Sequence, residues 1–438
     1  RQAPVATPGG PLMRIALLDI NDCGLQLWNG DTHLQSPGYA LLHGQQYRFG
    51  APARAAARLQ PRDINTRYWW QLSTEALQPS LGPARHTGDL VHAHLQDLHR
   101  EAGQPGEMVL AVSGSMQREQ LALLLGIVQQ CPFDAVGLVN RSVALGSLYG
   151  CGGRLFHLEV QLHQAVIAEL AESAGTIELQ RTVPLPGCGL LQIQERLVEI
   201  IASAFIRQTR FDPRRKAATE QQLYDALPNA LRALGQANET NLDINGYQVR
   251  INRNELMGAG QRLFDSAPEA MGVLRPDDRI IIDPVAGLLP GLAGVFPQLE
   301  VLEADSVRRA LQQHEAQLVQ RGQALSFVTA LPCLEEKIIP LVQAPAAPAT
   351  PEEQPEVTPT AAPTHLLQDS VARPLVATGT ALSAGWELYL EGADWRLRGA
   401  GDTARVNDAE YRPGQALARG DHIAIGTGHE SQLIEVKA

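Results

Sequence analysis

The chain has no run of 18 apolar residues, so no ordinary membrane-spanning helix is expected. It also has no basic excess. Lys and Arg number 36 against 47 Asp and Glu, for a formal charge of -11, which argues against a dedicated nucleic-acid or polyanion binder. Its five cysteines, Cys23, Cys131, Cys151, Cys188 and Cys333, are scattered and odd in number, with no metal-type spacing. They predict free thiols in a reducing, cytoplasmic setting and no metal site. The first residues, RQAPVATPGGPL (1–12), lack the apolar core of a signal peptide and read as a flexible leader before Met13. At 438 residues and 44% hydrophobic, the chain has material for two to four domains with large cores.

One internal stretch has almost no large apolar residue. QAPAAPATPEEQPEVTPTAAPTH (343–365) cannot bury a core and is expected to be an extended linker. Before it, strand and helix patterns alternate. MVLAVSG (108–114) and DAVGLVN (134–140) read as buried strands and MQREQLALLLGIVQQC (116–131) as an amphipathic helix. RSVALGSLYG (141–150) reads as a short helix and RLFHLEVQLHQAVIAEL (154–170) as a hairpin. Helices over 190–208 and 215–235, strand over 241–253 and helix over 254–265 predict a helical insert at about 190–265. RIIIDPVAGLLPGLAGVF (279–296) and LEVLEA (299–304) then give strand, turn, helix and strand. Such alternation means α/β layers. After the linker, WELYL and WRLRG flank EGAD, a hairpin signal, and no helical period appears over 366–438.

The order of these pieces resembles the actin-like ATPase superfamily, and within it the DnaK-type (seventy-kilodalton heat-shock) chaperones. Residues 113–150 are similar to that family's helix, strand and Asn-Glu-Pro-Thr-Ala-Ala-Ala-x-x-Tyr-Gly segment, with Asn140, Ala144, Tyr149 and Gly150 in register. Residues 48–72 and 279–301 resemble two further family segments, with Pro290-Gly291 matching in the second. The resemblance implies a two-lobed actin-like fold of ribonuclease H-like repeats over residues 13–342, with a nucleotide cleft between the lobes.

Every segment that would touch nucleotide departs from the family pattern. The first phosphate loop, Asp-x-Gly-Thr in the family, keeps Asp19 but has Asn21 at the glycine position, followed by Asp22. The second, Asp-x-Gly-Gly-Gly-Thr, aligns with Glu159, Gln161 and His163 among its residues and contains no glycine. The adenosine Gly-Gly pair aligns with Pro284 and Val285, followed by Gly287. Arg141 stands at the acid that positions the attacking water, and Gln71 aligns with the phosphate-side lysine. Side chains at glycine positions keep phosphate from backbone N–H groups, and phosphoryl transfer rests mostly on positioning and charge neutralisation. The expectation is a degenerate cleft with no cofactor. ATP with Mg would be the cofactors if the cleft were instead active.

Within that cleft, Asp19 is expected to cap its own turn, and Asp19 and Asp22 to be exposed turn carboxylates. Glu159 and His163 are expected to help seal the cleft rather than form a dyad. Arg141 is expected to pair with Asp19 or Glu159 in place of a lost metal. His86, His92, His94 and His99 are read as a solvated helix face, Trp69-Trp70 as core, and RFDPRRKAA (210–218) as a polar helix start.

In the tail, Asn407, Leu417, Gly420, Asp421, Ile423 and Gly426 resemble the second half of a forkhead-associated (FHA) β-sandwich, which implies a small all-β domain at 366–438. Asn407, Arg412 and Asp421 are its candidate partner-binding residues. Together these expectations point to a non-catalytic scaffold or adaptor with protein partners, bound through the β domain and also through the α/β domain. Nucleic acid and membrane are not expected partners. The alternatives are an active ATP-hydrolysing DnaK-like chaperone and an actin-like filament protein.

Overall fold

The computed structural model describes residues 15–149, 152–296, 298–334, 363–368, 371–382, 385–399, 403–407, 409–426 and 430–435. The expected leader and nearly all of the expected linker lie outside them. The chain divides into two compact units, Arg1–Pro340 and Leu341–Ala438.

The larger unit mixes helices with two six-stranded sheets. In the first sheet, Ala16–Ile20 pairs antiparallel with Leu25–Asn29, and that strand with Thr32–Ser36. On its other side Ala16–Ile20 runs parallel to Glu107–Val112, which is parallel to Asp134–Asn140. The second sheet repeats this order. Arg154–Val160, Gln164–Ser173 and Thr176–Pro186 form the antiparallel meander. Arg279–Ile282 and Leu299–Val301 add in parallel beside Arg154–Val160.

The parallel strands read as apolar runs because helices cover them. Leu18, Val109, Leu110, Phe156, Ile281 and Ile282 have no exposed surface. The expected hairpin at 154–170 is therefore the first two strands of a longer meander. Its third strand, 176–186, alternates Ile177 and Leu179 with Glu178 and Gln180, a half-buried pattern. One short segment serves both sheets: Phe327–Val328 pairs with Asp134–Asn140, and Ala330–Pro332 pairs with Thr176–Pro186.

The region about 190–265 holds the helices Leu190–Thr209 and Ala217–Gln236, a hairpin of Glu239–Ile244 with Tyr247–Asn252, and the start of the helix Gln261–Met271. Asp212, in the basic stretch, caps the 3-10 turn Pro213–Arg215 by accepting from Arg214 N at 3.0 Å.

The smaller unit is all β among its described residues apart from turns, with a six-stranded and a three-stranded sheet. Leu388, Trp395 and Leu397 from one sheet share a core with Leu366, Ile423, Ile425 and Leu433 from the other. The hairpin Glu387–Glu391 with Asp394–Arg398 turns at Gly392, whose φ of 68° favours glycine. Its strand begins at His365, inside the range expected for the linker.

Candidate functional site

Parallel strands of one sheet end on the same side, and in open α/β sheets that edge is where ligands bind. Here the strand ends bring together Asp19, Ser113, Asn140-Arg141, Glu159 and Asp283. Arg141 is the first residue of the helix Arg141–Gly146, capped by Asn140 Oδ1 accepting from Val143 N at 3.0 Å. A helix N-terminus disfavours a cation, so Arg141 needs carboxylates around it.

It has three. Nε and Nη2 donate to Asp19 Oδ1 and Oδ2 at 2.6 and 3.2 Å. Nη1 donates to both oxygens of Asp283 at 2.9 and 3.1 Å and to Glu159 Oε1 at 3.2 Å. Arg141 is 5% exposed, Asp283 3%, Asp19 and Glu159 1% each. His157 Nε2, opposite a carboxylate, donates to Asp283 Oδ1 at 3.3 Å, and its Nδ1 meets Ser142 Oγ at 2.7 Å. Ser113 Oγ donates to Glu159 Oε2 at 2.6 Å, and Asn21 Nδ2 donates to Glu159 Oε1 at 3.3 Å.

Three carboxylates share one guanidinium. Burial raises Asp19 and Glu159 above the usual carboxylate range, against the pull of Arg141. Burial also acts on Asp283, but Arg141 and His157 outweigh it and hold that carboxyl at about 2. The same carboxylates push Arg141 well above its ordinary value despite its burial.

Two expectations about this loop are corrected. Asp19 does not cap its turn; it pairs with Arg141, and the local acceptor is Asn21 Oδ1, which takes Cys23 N at 2.9 Å. Asp22 is not exposed but buried, its Oδ1 accepting from Leu162 N at 2.8 Å, and burial pushes it up to about 7.

The backbone of both loops is engaged within the chain. Gly24 N donates to Asn21 O at 3.0 Å and Gln161 N to Gln164 O at 2.8 Å. Residues 19–23, 159–164 and 283–287 all keep negative φ, so none takes the backbone form that glycine supplies. A glycine is needed nearby at Gly189, where a Cβ would lie 2.4 Å from Leu162 O. This approach lets Leu190 N and Leu191 N, at the N-terminus of Leu190–Thr209, donate to Gln161 O and Leu162 O at 2.8 and 3.0 Å. The helix end that could meet an anion caps the turn instead.

The remaining candidates lie around this centre. Gln161 Nε2 donates to Ser115 Oγ at 3.2 Å and takes part in the Glu159 shell at 3.4 Å. His163 does not meet Glu159; its Nε2 donates to Thr66 O at 3.0 Å and its ring stacks on Trp70 at 5.0 Å. Pro284, Val285 and Gly287 form a short helix behind Asp283, and a Cβ on Gly287 would lie 2.6 Å from Val301 Cγ1. Gln71 is exposed and lines a separate groove with Arg67 and Leu72.

The histidine expectation is corrected as well. His94 and His99 are buried, not solvated. His94 Nδ1 accepts from Tyr68 Oη at 2.9 Å and Trp69 Nε1 at 3.1 Å, so Nε2 donates to Ser36 Oγ at 2.8 Å. Burial holds His94 at about 3, neutral in the folded chain. Trp69 is core, whereas Trp70 is half-buried at the cleft.

In the β unit, Asn407 adopts φ 50° and braces a turn: Nδ2 donates to Asp421 Oδ1 at 2.8 Å and Oδ1 accepts from His422 N at 2.9 Å. Asp421 Oδ2 accepts from Ala418 N at 2.8 Å. These two residues support each other's loops, while Arg412 is exposed.

Among the described residues no group of three or more His, Cys, Asp or Glu is arranged to hold a metal ion, and Cys23, Cys131 and Cys188 are free thiols. No described helix is long and apolar enough to cross a membrane. No family model matches this chain, and no curated protein matches it.

Proposed function

We propose that the chain is a DnaK-like, actin-like pseudo-ATPase: a two-lobed α/β domain without catalytic activity, joined to a small FHA-like β domain, acting as a scaffold or adaptor for protein partners. The strand order repeated in the two sheets supports a pair of ribonuclease H-like repeats. The observation that carries the reading is Arg141. Its guanidinium lies among Asp19, Glu159 and Asp283, where an ATPase of this kind would hold metal and phosphate. The amides of Cys23, Gly24, Gln161 and Leu162 and the Leu190 helix end are already engaged within the chain, which disfavours a phosphate cradle here. A partner reaching both domains would gain from the effective concentration the connecting chain provides.

Thermal melting of the full chain with and without Mg-ATP tests this. A nucleotide at 100-fold excess over its Kd stabilises by about 2.7 kcal/mol, which moves a domain this large by several degrees. The expected result is no shift. A saturable rise with Mg-ATP overturns the reading and favours an active chaperone.

A further inference from the structure

Beside the ion cluster, between the two sheets, is a cavity of about 220 Å³. It lies below the 300–1,000 Å³ range of most ligand pockets, with room for one small ring but not for a nucleotide. Two indoles, Trp69 and Trp70, form part of its wall. Both are held from behind: Trp69 Nε1 donates to His94 and Trp70 stacks on His163. The polar wall includes Asp22, Gln117, Gln161 and Gln164, together with Ser113 and Ser115. No lysine, arginine or histidine is among the described residues that line it.

We infer that this cavity is a binding site for a small neutral polyol, a single sugar or cyclitol ring. The absence of a lining cation, with Asp22 in the wall and Glu159 just behind Ser113 and Gln161, disfavours phosphates and carboxylates. Amides and hydroxyls both donate and accept, which suits hydroxyl groups that do the same. Trp69 and Trp70 give the wall apolar indole surface for the C–H side of a ring. Asp22, pushed up to about 7, is in part a neutral carboxyl at neutral pH, so it also donates and accepts and offers an ammonium ion less charge. The wall is rigid because its members brace one another: Gln164 Nε2 donates to Gln161 Oε1 at 2.9 Å, and Ser113 Oγ lies 2.9 Å from Ser115 Oγ. This inference goes beyond the scaffold reading and does not depend on it.

The test is titration of the full chain with D-glucose and with myo-inositol, read by tryptophan fluorescence. Melting temperature is a poor readout, because polyols stabilise any protein by exclusion. Saturable quenching is expected, with half-saturation at about 1–10 mM. Ser115→Leu, which fills the cavity, should weaken it at least 10-fold. Gln117→Ala, at the exposed N-cap of the helix Arg118–Val128, should weaken it about 3- to 10-fold. Linear, unsaturated responses to both polyols overturn the inference. So does saturation that is unchanged in both variants, or saturation by choline at constant ionic strength but by neither polyol.

Discussion

Replacing Arg141 by Met removes the guanidinium that Asp19, Glu159 and Asp283 share. Five hydrogen bonds from the guanidinium go with it. Removing one partner of a buried ion pair costs about 3–5 kcal/mol, because the other charge is left uncompensated. Here three carboxylates lose their counter-charge at once, so the upper end applies at pH 8. At about 2 °C per kcal/mol for a large domain, the main transition should fall by roughly 10 °C. The sign of the pH dependence follows. Without the guanidinium the folded-state pKa values of the three carboxyls rise. Their protonated forms then favour the folded state at low pH, and that stability is lost as pH rises. The deficit of Arg141→Met should therefore shrink between pH 8 and pH 5. Adding Asp19→Asn and Asp283→Asn to Arg141→Met should recover most of the loss at pH 8, since neutral groups of the same shape replace the ions. Calorimetry at both pH values measures all of this. A variant that melts within 1 °C of the parent at pH 8, or a deficit that grows toward pH 5, refutes the assignment of Arg141 as the cluster's counter-ion.

Three further outcomes follow. Glu159→Gln should change stability by less than about 1 kcal/mol at pH 8: its oxygen still accepts from Asn21 and Arg141, and its amide donates to Ser113 Oγ; urea unfolding measures it. Asp22 is held at about 7 when folded and near 3.8 when unfolded, so its stabilising effect is complete below 3.8 and lost as pH rises through 7. Asp22→Asn should gain stability of order 2–4 kcal/mol at pH 8 and almost nothing at pH 4, again by urea unfolding. His94 is depressed to about 3 from an ordinary 6.5, so its contribution is complete above 6.5 and lost as pH falls toward 3. His94→Phe should cost stability at pH 7 by orphaning Tyr68, Trp69 and Ser36. It should also flatten the acid limb of the stability curve by about 1.4 kcal/mol per pH unit between pH 6 and 4.

The alternating layers and the β tail were legible because apolar runs and turn residues report local structure directly. A pairing of Arg141 with Asp19 or Glu159 was expected from the resemblance that set the three at aligned motif positions, and the structure brings Arg141 to both carboxylates. Asp283 was missed as a ligand of Arg141, although an acid closing the run Arg279–Ile282 just before Pro284 was the available signal. His157 lies inside a stretch that read as strand, and Ser113 lies one residue past the end of Glu107–Val112. Their roles depend on which face meets the second sheet, and a single strand does not carry that information. The burial of Asp22 and His94 was also hidden. A turn Asp and a helical His look solvated from their neighbours in sequence, and they are buried here by Leu162, Tyr68 and Trp69 from distant segments.

The strap at Phe327–Pro332 has a mechanical consequence. It zips onto an edge of each sheet through a single stretch of chain, with only Thr329 between the two short strands. Among the described residues, a pull arriving from the C-terminal side first meets Leu334 N and Cys333 N, which donate to Ser147 O and Gly175 O, and then this stretch. The load on Ala330–Pro332 must peel its pairing with Thr176–Pro186 before tension passes to the pairing of Phe327–Val328 with Asp134–Asn140. The strand that ends in Asn140 and leads into Arg141 is thus a later anchor in that series. A tug on the tail is delivered, once the earlier pairings yield, to the backbone that carries the guanidinium shared by Asp19, Glu159 and Asp283.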